Sequence, residues 1–180
     1  YLAFLGRISP EKRPDRAIAI AKRMGIPLKM AAKVDAADAR YFQEKIEPLL
    51  LGQDLIEFVG EIGDEAKSGF LGDAQALLFP IDWPEPFGLV MIEAMACGTP
   101  VVAYGCGSVP EVIEDGVTGF IVSNEDEAVA AVARTASLNR RDVRRRFDER
   151  FSATAMARRH LDLNANQSVT RPDIALVANG

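Results

Sequence analysis

The chain has 180 residues, 48% hydrophobic and 26% charged, with a formal net charge of -5, the makeup of one globular domain with a substantial core. That acidity excludes a nucleic-acid binder working through a broad basic face, although a local cluster of cations can still hold a phosphate. No apolar run is long enough to span a bilayer, no stretch reads as a signal peptide, and two cysteines, Cys97 and Cys106, fit a reducing cytoplasm better than a disulfide framework.

Short apolar runs alternate with helical patterns along the chain. Residues 2–5 read as a buried strand; Tyr1 opens directly on it without Met, from which an excised fragment is expected. Pro14–Met24 reads as a helix, with Pro14 suited to its first turn, Gly25 to its end and Pro27 blocking continuation. Strands are then expected at 28–34, 55–59, Ala76–Phe79, 100–103 and Gly119–Val122, and helices at 36–46, 64–71, 88–96 and 109–114. Six strand–helix units with short turns imply a parallel α/β sheet with helices on both faces, which binds ligands at the carboxyl ends of its strands. Gly6-Arg7, 80–86 and 104–108 all follow strands, so they should share one edge. Beyond Ser123 the pattern is helical. Ser123 with Asp126 resembles a capping box, Ala128, Val129, Val132, Ala133 and Ala136 supply a buried stripe, and Arg140–Arg150 and 152–163 form two more helices. Residues 164–180 show no periodicity and are expected to be poorly ordered or to pack on another domain, leaving 1–163 as the folded unit.

The chemistry concentrates in WPEPFGLVMIEAMACGTPVVA, from Trp83 to Ala103. Glu85 sits in a proline-bracketed loop and Glu93 in a helix. Phe87-Gly88-Leu89 carries the chain into that helix, whose free N–H groups can receive an anion. A nucleotide-activated sugar offers the matching groups: hydroxyls, a diphosphate and a ribose. A two-carboxylate glycosidase is the other use of such a pair. Glu93 stands among Met91, Ile92, Ala94, Met95 and Ala96, so a partner is expected for it. Gly6, Arg7 and Lys12, just after the first strand, could clamp a diphosphate. The turn 105–108 is a weak signal, since any tight turn would use its glycines. Cys97, Cys106 and the single histidine, His160, form no metal-like set, and RRDVRRR from Arg140 reads as a solvated helix face.

Together GRISPEK, EPFGLVMIEAMACGTPVVA and GSVPEVIEDGVTGFIV resemble the retaining glycosyltransferases of family four, over residues 1–163. The resemblance implies half of a GT-B fold, the Rossmann-like donor-binding domain, with an N-terminal acceptor-binding domain as its missing partner. It implies transfer of a hexosyl group from a nucleotide diphosphate sugar, with no metal and no cofactor. Arg7 and Lys12 would bind the diphosphate, Glu85 the hydroxyls of the transferred sugar, Glu93 the ribose, and Gly6, Phe87, Gly88 and Leu89 would approach through their backbone. A cytoplasmic location follows, with peripheral contact at the inner face of a membrane left open. A stand-alone nucleotide-binding module and another GT-B enzyme, such as a sugar-nucleotide epimerase, are the rival readings. Two departures stand out: the family lysine is often followed by glycine where Lys12 precedes Arg13, and the second glycine of a Gly-Gly-x-Pro-Glu pattern is Ser108.

Overall fold

Alternating side chains in the first strand already divide the molecule. In β1 (Leu2–Arg7), Leu2 and Phe4 enter one apolar core and Ala3 the other, as period-two geometry requires. The computed structural model describes residues 1–52 and 54–169, with side chains described through 163. Its other strands are β2 (Leu28–Lys33), β3 (Ile56–Gly60), β4 (Ala76–Phe79), β5 (Val101–Tyr104) and β6 (Gly119–Val122). All pair in parallel, in the order β3-β2-β1-β4-β5-β6. β4 and β5 are buried along their whole length, which is why they read as unbroken apolar runs.

Helices cover both faces. α1 (Pro14–Met24) packs Ala17, Ile18, Ile20 and Ala21 against one face. The opposite face receives Leu71 from α4 (Asp64–Gly72), Met91, Ile92 and Met95 from α5 (Leu89–Ala96), and Val109 and Val112 from α6 (Val109–Val112). α7 (Glu125–Arg134) returns to the α1 face, and α8 (Arg140–Arg150) places Val143 in the second core.

Two expectations are corrected. The helix expected at 36–46 is a composite running to 50: a 3-10 turn at Ala36–Asp38, α2 (Ala39–Tyr41), a π-helical turn at Phe42–Ile46, then α3 (Glu47–Leu50). Pro48 explains the wide turn, because it lacks an N–H and its ring crowds the carbonyl four residues earlier, at Glu44. The cap of α7 is Asn124 rather than Ser123: its Oδ1 accepts from Glu127 N at 2.9 Å, and Glu127 Oε2 accepts from Ser123 N at 2.7 Å. With that start, Ala131 and Thr135 are buried, and Ala133 and Ala136 face solvent. The backbone of α9 (Ala153–Val169) continues into the segment 164–180, expected to be poorly ordered or to pack on another domain, and the remainder of that segment lies outside the described residues. Among the described residues no helix is long and apolar enough to cross a membrane.

Candidate functional site

Loops after β1, β4 and β5 meet at the carboxyl edge of the sheet, as expected. The strand order reverses direction between β1 and β4, the place where sheets of this kind open a crevice. Ile8, fully buried, anchors the first loop by donating its N–H to Lys33 O at 2.8 Å. A 3-10 turn, Pro10–Lys12, then delivers Lys12. Arg13 follows at φ 50°, the one non-glycine residue with positive φ among those described. That conformation costs an L-residue about 1–2 kcal/mol, and the glycine usual after the family lysine would avoid it.

Lys12 Nζ forms an ion pair with Glu85 Oε2, the two side chains being 21% and 13% exposed. Trp83 Nε1 donates to the same oxygen at 3.1 Å, and Lys12 Nζ lies 5.8 Å and 5.3 Å from the ring centres of Phe79 and Trp83. Lys12, Phe79 and Glu85 border a compartment of about 130 Å³ whose wall includes Gly6, Gly88 and Leu89. Gly88 caps α5 at φ 72°. A Cβ there would meet only the movable end of Met91 and stand 3.5 Å from Glu85 Cγ, so it is the left-handed backbone that favours glycine. The glycine turn after β5 holds the Glu85 loop. Ser108 N donates to Glu85 O at 2.8 Å, and a Cβ on Gly107, at φ 57°, would run into the Glu85 backbone.

A second compartment, of about 540 Å³, continues from the first over Leu5, Gly6, Leu89 and Val90. Glu93 lines it and meets Lys67 Nζ at 3.1 Å, while Lys67 also reaches Asp64 at 2.9 Å. Hydrogen bonds to Asp64 and then Glu93 hold the Lys67 ammonium above its ordinary value. Glu93 therefore has the partner expected of it, on a neighbouring helix. Glu85 and Glu93 each engage their own cation and line adjoining compartments of the groove.

Two expected residues stand apart. Arg7 lines neither compartment and lies among carboxylates: 2.8 Å from Glu11, 3.7 Å from Asp35 and 4.0 Å from Asp38. Phe87 also lines neither and its ring is largely exposed. Trp83 and Lys67 were not singled out in the sequence, and Gly107 only within the weak signal of the turn 105–108. Trp83 carried a signal, as the single tryptophan two residues before Glu85; Lys67 carried none, because only the packing of α4 beside α5 brings it to Glu93. The arginine run of α8 is more than a solvated face. Arg140 donates to Ala74 O and Gly72 O, at 2.7 and 2.6 Å, and Arg146 and Arg150 hold Glu114 at 3.1 and 3.0 Å.

An edge with an ammonium, a helix N-terminus and two carboxylates in sequence can receive an anionic centre flanked by hydroxyls. The profile of the family described as Glycosyl transferases group 1 matches residues 1–153. D-inositol 3-phosphate glycosyltransferase of Geodermatophilus obscurus is 34% identical over 170 residues, 88% of this chain and 36% of that protein. The enzyme of the same name from Streptomyces scabiei is 34% identical over 139 residues, 71% of this chain and 31% of that protein. Among solved structures, AviGT4, a glycosyltransferase involved in avilamycin A biosynthesis, superposes with a TM-score of 0.78 at 29% identity, covering 95% of this chain and 52% of that one. Anabaena Alr3699/HepE, in complex with UDP and glucose, shares the fold with a TM-score of 0.76 at 22% identity, over 92% of this chain and 48% of that one. The chain thus spans about a third of the curated relatives it matches, 31% and 36% of their lengths.

Proposed function

Because the chain belongs to the group 1 glycosyl transferases, we propose that its groove is the donor site of a retaining enzyme of the family-four type, which transfers a hexosyl group from a nucleotide diphosphate sugar. The observation that carries this reading is the meeting of Lys12 and Glu85 beside the N-terminus of α5, in one groove with Glu93. The relatives and neighbours, glycosyltransferases and a complex with UDP and glucose among them, support it.

In this reading the diphosphate lies over the first turn of α5, where the N–H groups of Leu89 and Val90 point at it, with Lys12 as its nearest cation. Charge that develops on the leaving diphosphate meets that ammonium, which is electrostatic stabilisation of the transition state. Glu85 accepts hydrogen bonds from hydroxyls of the transferred sugar and acts by positioning rather than as a nucleophile. Glu93 accepts from the ribose. Arg7 joins the diphosphate only by leaving Glu11, so its part is the smaller. No resident cofactor belongs to this reading. The acceptor is held by a second, N-terminal domain of the full protein, which acts in the cytoplasm, and the 180-residue chain binds donor without transferring it.

A thermal-shift screen of UDP-, GDP- and ADP-sugars tests the donor role, since a ligand that binds only the native state raises its stability. No rise with any of the three would sink it. Robust sugar transfer to an added acceptor by this chain alone would overturn the assignment of the acceptor site to another domain.

A further inference from the structure

The positive φ of Arg13 is held by its own side chain. The guanidinium grips Asp15 with two nitrogens, Nε to Oδ1 at 2.9 Å and Nη2 to Oδ2 at 2.7 Å. Its third nitrogen, Nη1, crosses to Asp82 Oδ2 at 2.9 Å. Arg16, one turn into α1, reaches the same oxygen at 3.3 Å and donates to Pro80 O at 3.3 Å. Beneath these side chains Asp82 N donates to Glu11 O at 2.9 Å. The contacts made by Asp82 and Pro80 join two segments: the one that carries Lys12, and the loop after β4 that carries Trp83 and Glu85. None of Arg13, Arg16 and Asp82 lines the groove.

We propose that Arg13 is a positioning residue, which with Arg16 clasps Asp82 from outside the groove and thereby fixes Lys12 against Glu85. This rests on the donor-site reading above for its consequence in binding, but not for its geometry. A planar fork with three engaged nitrogens is the part a lysine cannot supply. A glycine at the same place would keep the backbone turn and lose the clasp. The left-handed backbone at Arg13 matters because it turns the guanidinium back across Asp15 toward Asp82, where a helical residue would point elsewhere.

The single tryptophan, Trp83, makes the test possible without a ligand. It follows Asp82 directly and donates to Glu85, so its accessibility reports whether that loop is held. Arg13→Gly, Arg13→Lys and Asp82→Ala are compared with the native chain and with Arg23→Ala, which breaks the 2.6 Å pair to Asp126 far from the groove. Acrylamide quenching of Trp83 fluorescence is measured first, then the affinity for inorganic pyrophosphate by calorimetry, with thermal midpoints for all variants. Arg13→Gly and Asp82→Ala should both raise quenching and weaken pyrophosphate by about tenfold, a loss in the range that small misplacements of a site produce. Arg13→Lys should recover part of each, and Arg23→Ala should lower the midpoint without moving either reading. If Arg13→Gly does not fold, Asp82→Ala carries the test, because its side chain is 54% exposed. Quenching equal to native in the clasp variants overturns the proposal, as does an equal rise in Arg23→Ala. Native protein that ignores pyrophosphate while the clasp variants still expose Trp83 overturns the donor-site reading and leaves the clasp standing.

Discussion

Lys12 and Glu85 reach each other from two loops, whereas Lys67 and Glu93 face each other from two adjacent helices, α4 and α5. The first pair is 21% and 13% exposed, the second 30% and 38%. Loops have no ladder of their own to fix them, so the first pair depends on outside fastenings: the glycine turn at Gly107 and the Arg13–Asp82 contact. Helices arrive already rigid, and the second pair needs none. Burial also changes what breaking each pair does. A half-buried charge that loses its partner is left short of solvation, while an exposed pair is screened by water and salt. Similar groups therefore serve as a coupled unit in one compartment and as two separable charges in the other.

The sharpest way to break this comparison is to attack a fastening. Gly107→Ala combines a left-handed backbone with a Cβ driven into the Glu85 backbone, and should cost about 3 kcal/mol of stability. A denaturation midpoint equal to native would mean that the turn does not fix the loop. Next comes Glu93→Ala, which should lower affinity for a nucleoside diphosphate lacking sugar by roughly 1.5–3 kcal/mol per charge-assisted hydrogen bond lost; calorimetry with unchanged affinity would remove Glu93 from the ribose. Lys12→Ala should weaken a nucleoside diphosphate, relative to the bare nucleoside, by about tenfold or 1.4 kcal/mol, and added salt should narrow the difference. Arg7→Ala should act in the same direction and less, since its charge is already met by Glu11. Equal losses for both ligands would show that neither cation addresses the phosphates. Lys67→Ala, in the exposed pair, should change stability by less than about 1 kcal/mol.

The smallest effects separate the regions by pH. Burial pushes the Asp15 carboxyl up, but Arg13 outweighs it and holds the group below its ordinary 3.8. Its contribution to stability is present above that value and is lost as pH falls through the depressed one. Lys67 is held above 10.5 by Asp64 and Glu93, so its contribution is present below 10.5 and is lost as pH rises through the raised value. Asp15→Asn should flatten the acid limb of the stability profile and, because burial together with Asp15 holds the Tyr41 phenol up at about 12, also touch the far alkaline end, whereas Lys67→Ala should flatten only the alkaline limb. An altered acid limb in Lys67→Ala would mean that the two regions are not independent.

What the sequence made legible follows the same division. Strand positions came from unbroken apolar runs such as 76–79 and 100–103, and the parallel order from their alternation with helices. Lys12, Glu85 and Glu93 were legible because the loop and the helix entry around them have specific composition. Their partners were not. Lys67 meets Glu93 only through packing of α4 on α5, and Asp82 meets Arg13 across 69 residues of sequence. The carboxylates around Arg7 were not legible either, because a cation after a strand says nothing of the acids that other loops bring to it, here Asp35 and Asp38. The π-helical turn escaped notice because a 3.6-residue period was carried up to Ile46, while Pro48 acts backwards on the residues before it.

The arginines of α8 have a mechanical consequence. Arg140 is tied to the carbonyls that end α4 and to Thr99 Oγ1 at 2.7 Å, and Arg144 to Ala96 O at 2.6 Å, the last residue of α5. At the other end Arg150 reaches Val112 O at 3.1 Å. Fastened at both ends to the layer that covers the sheet, α8 works as a brace: it links the last residues of α4, α5 and α6, so loosening it loosens the three together.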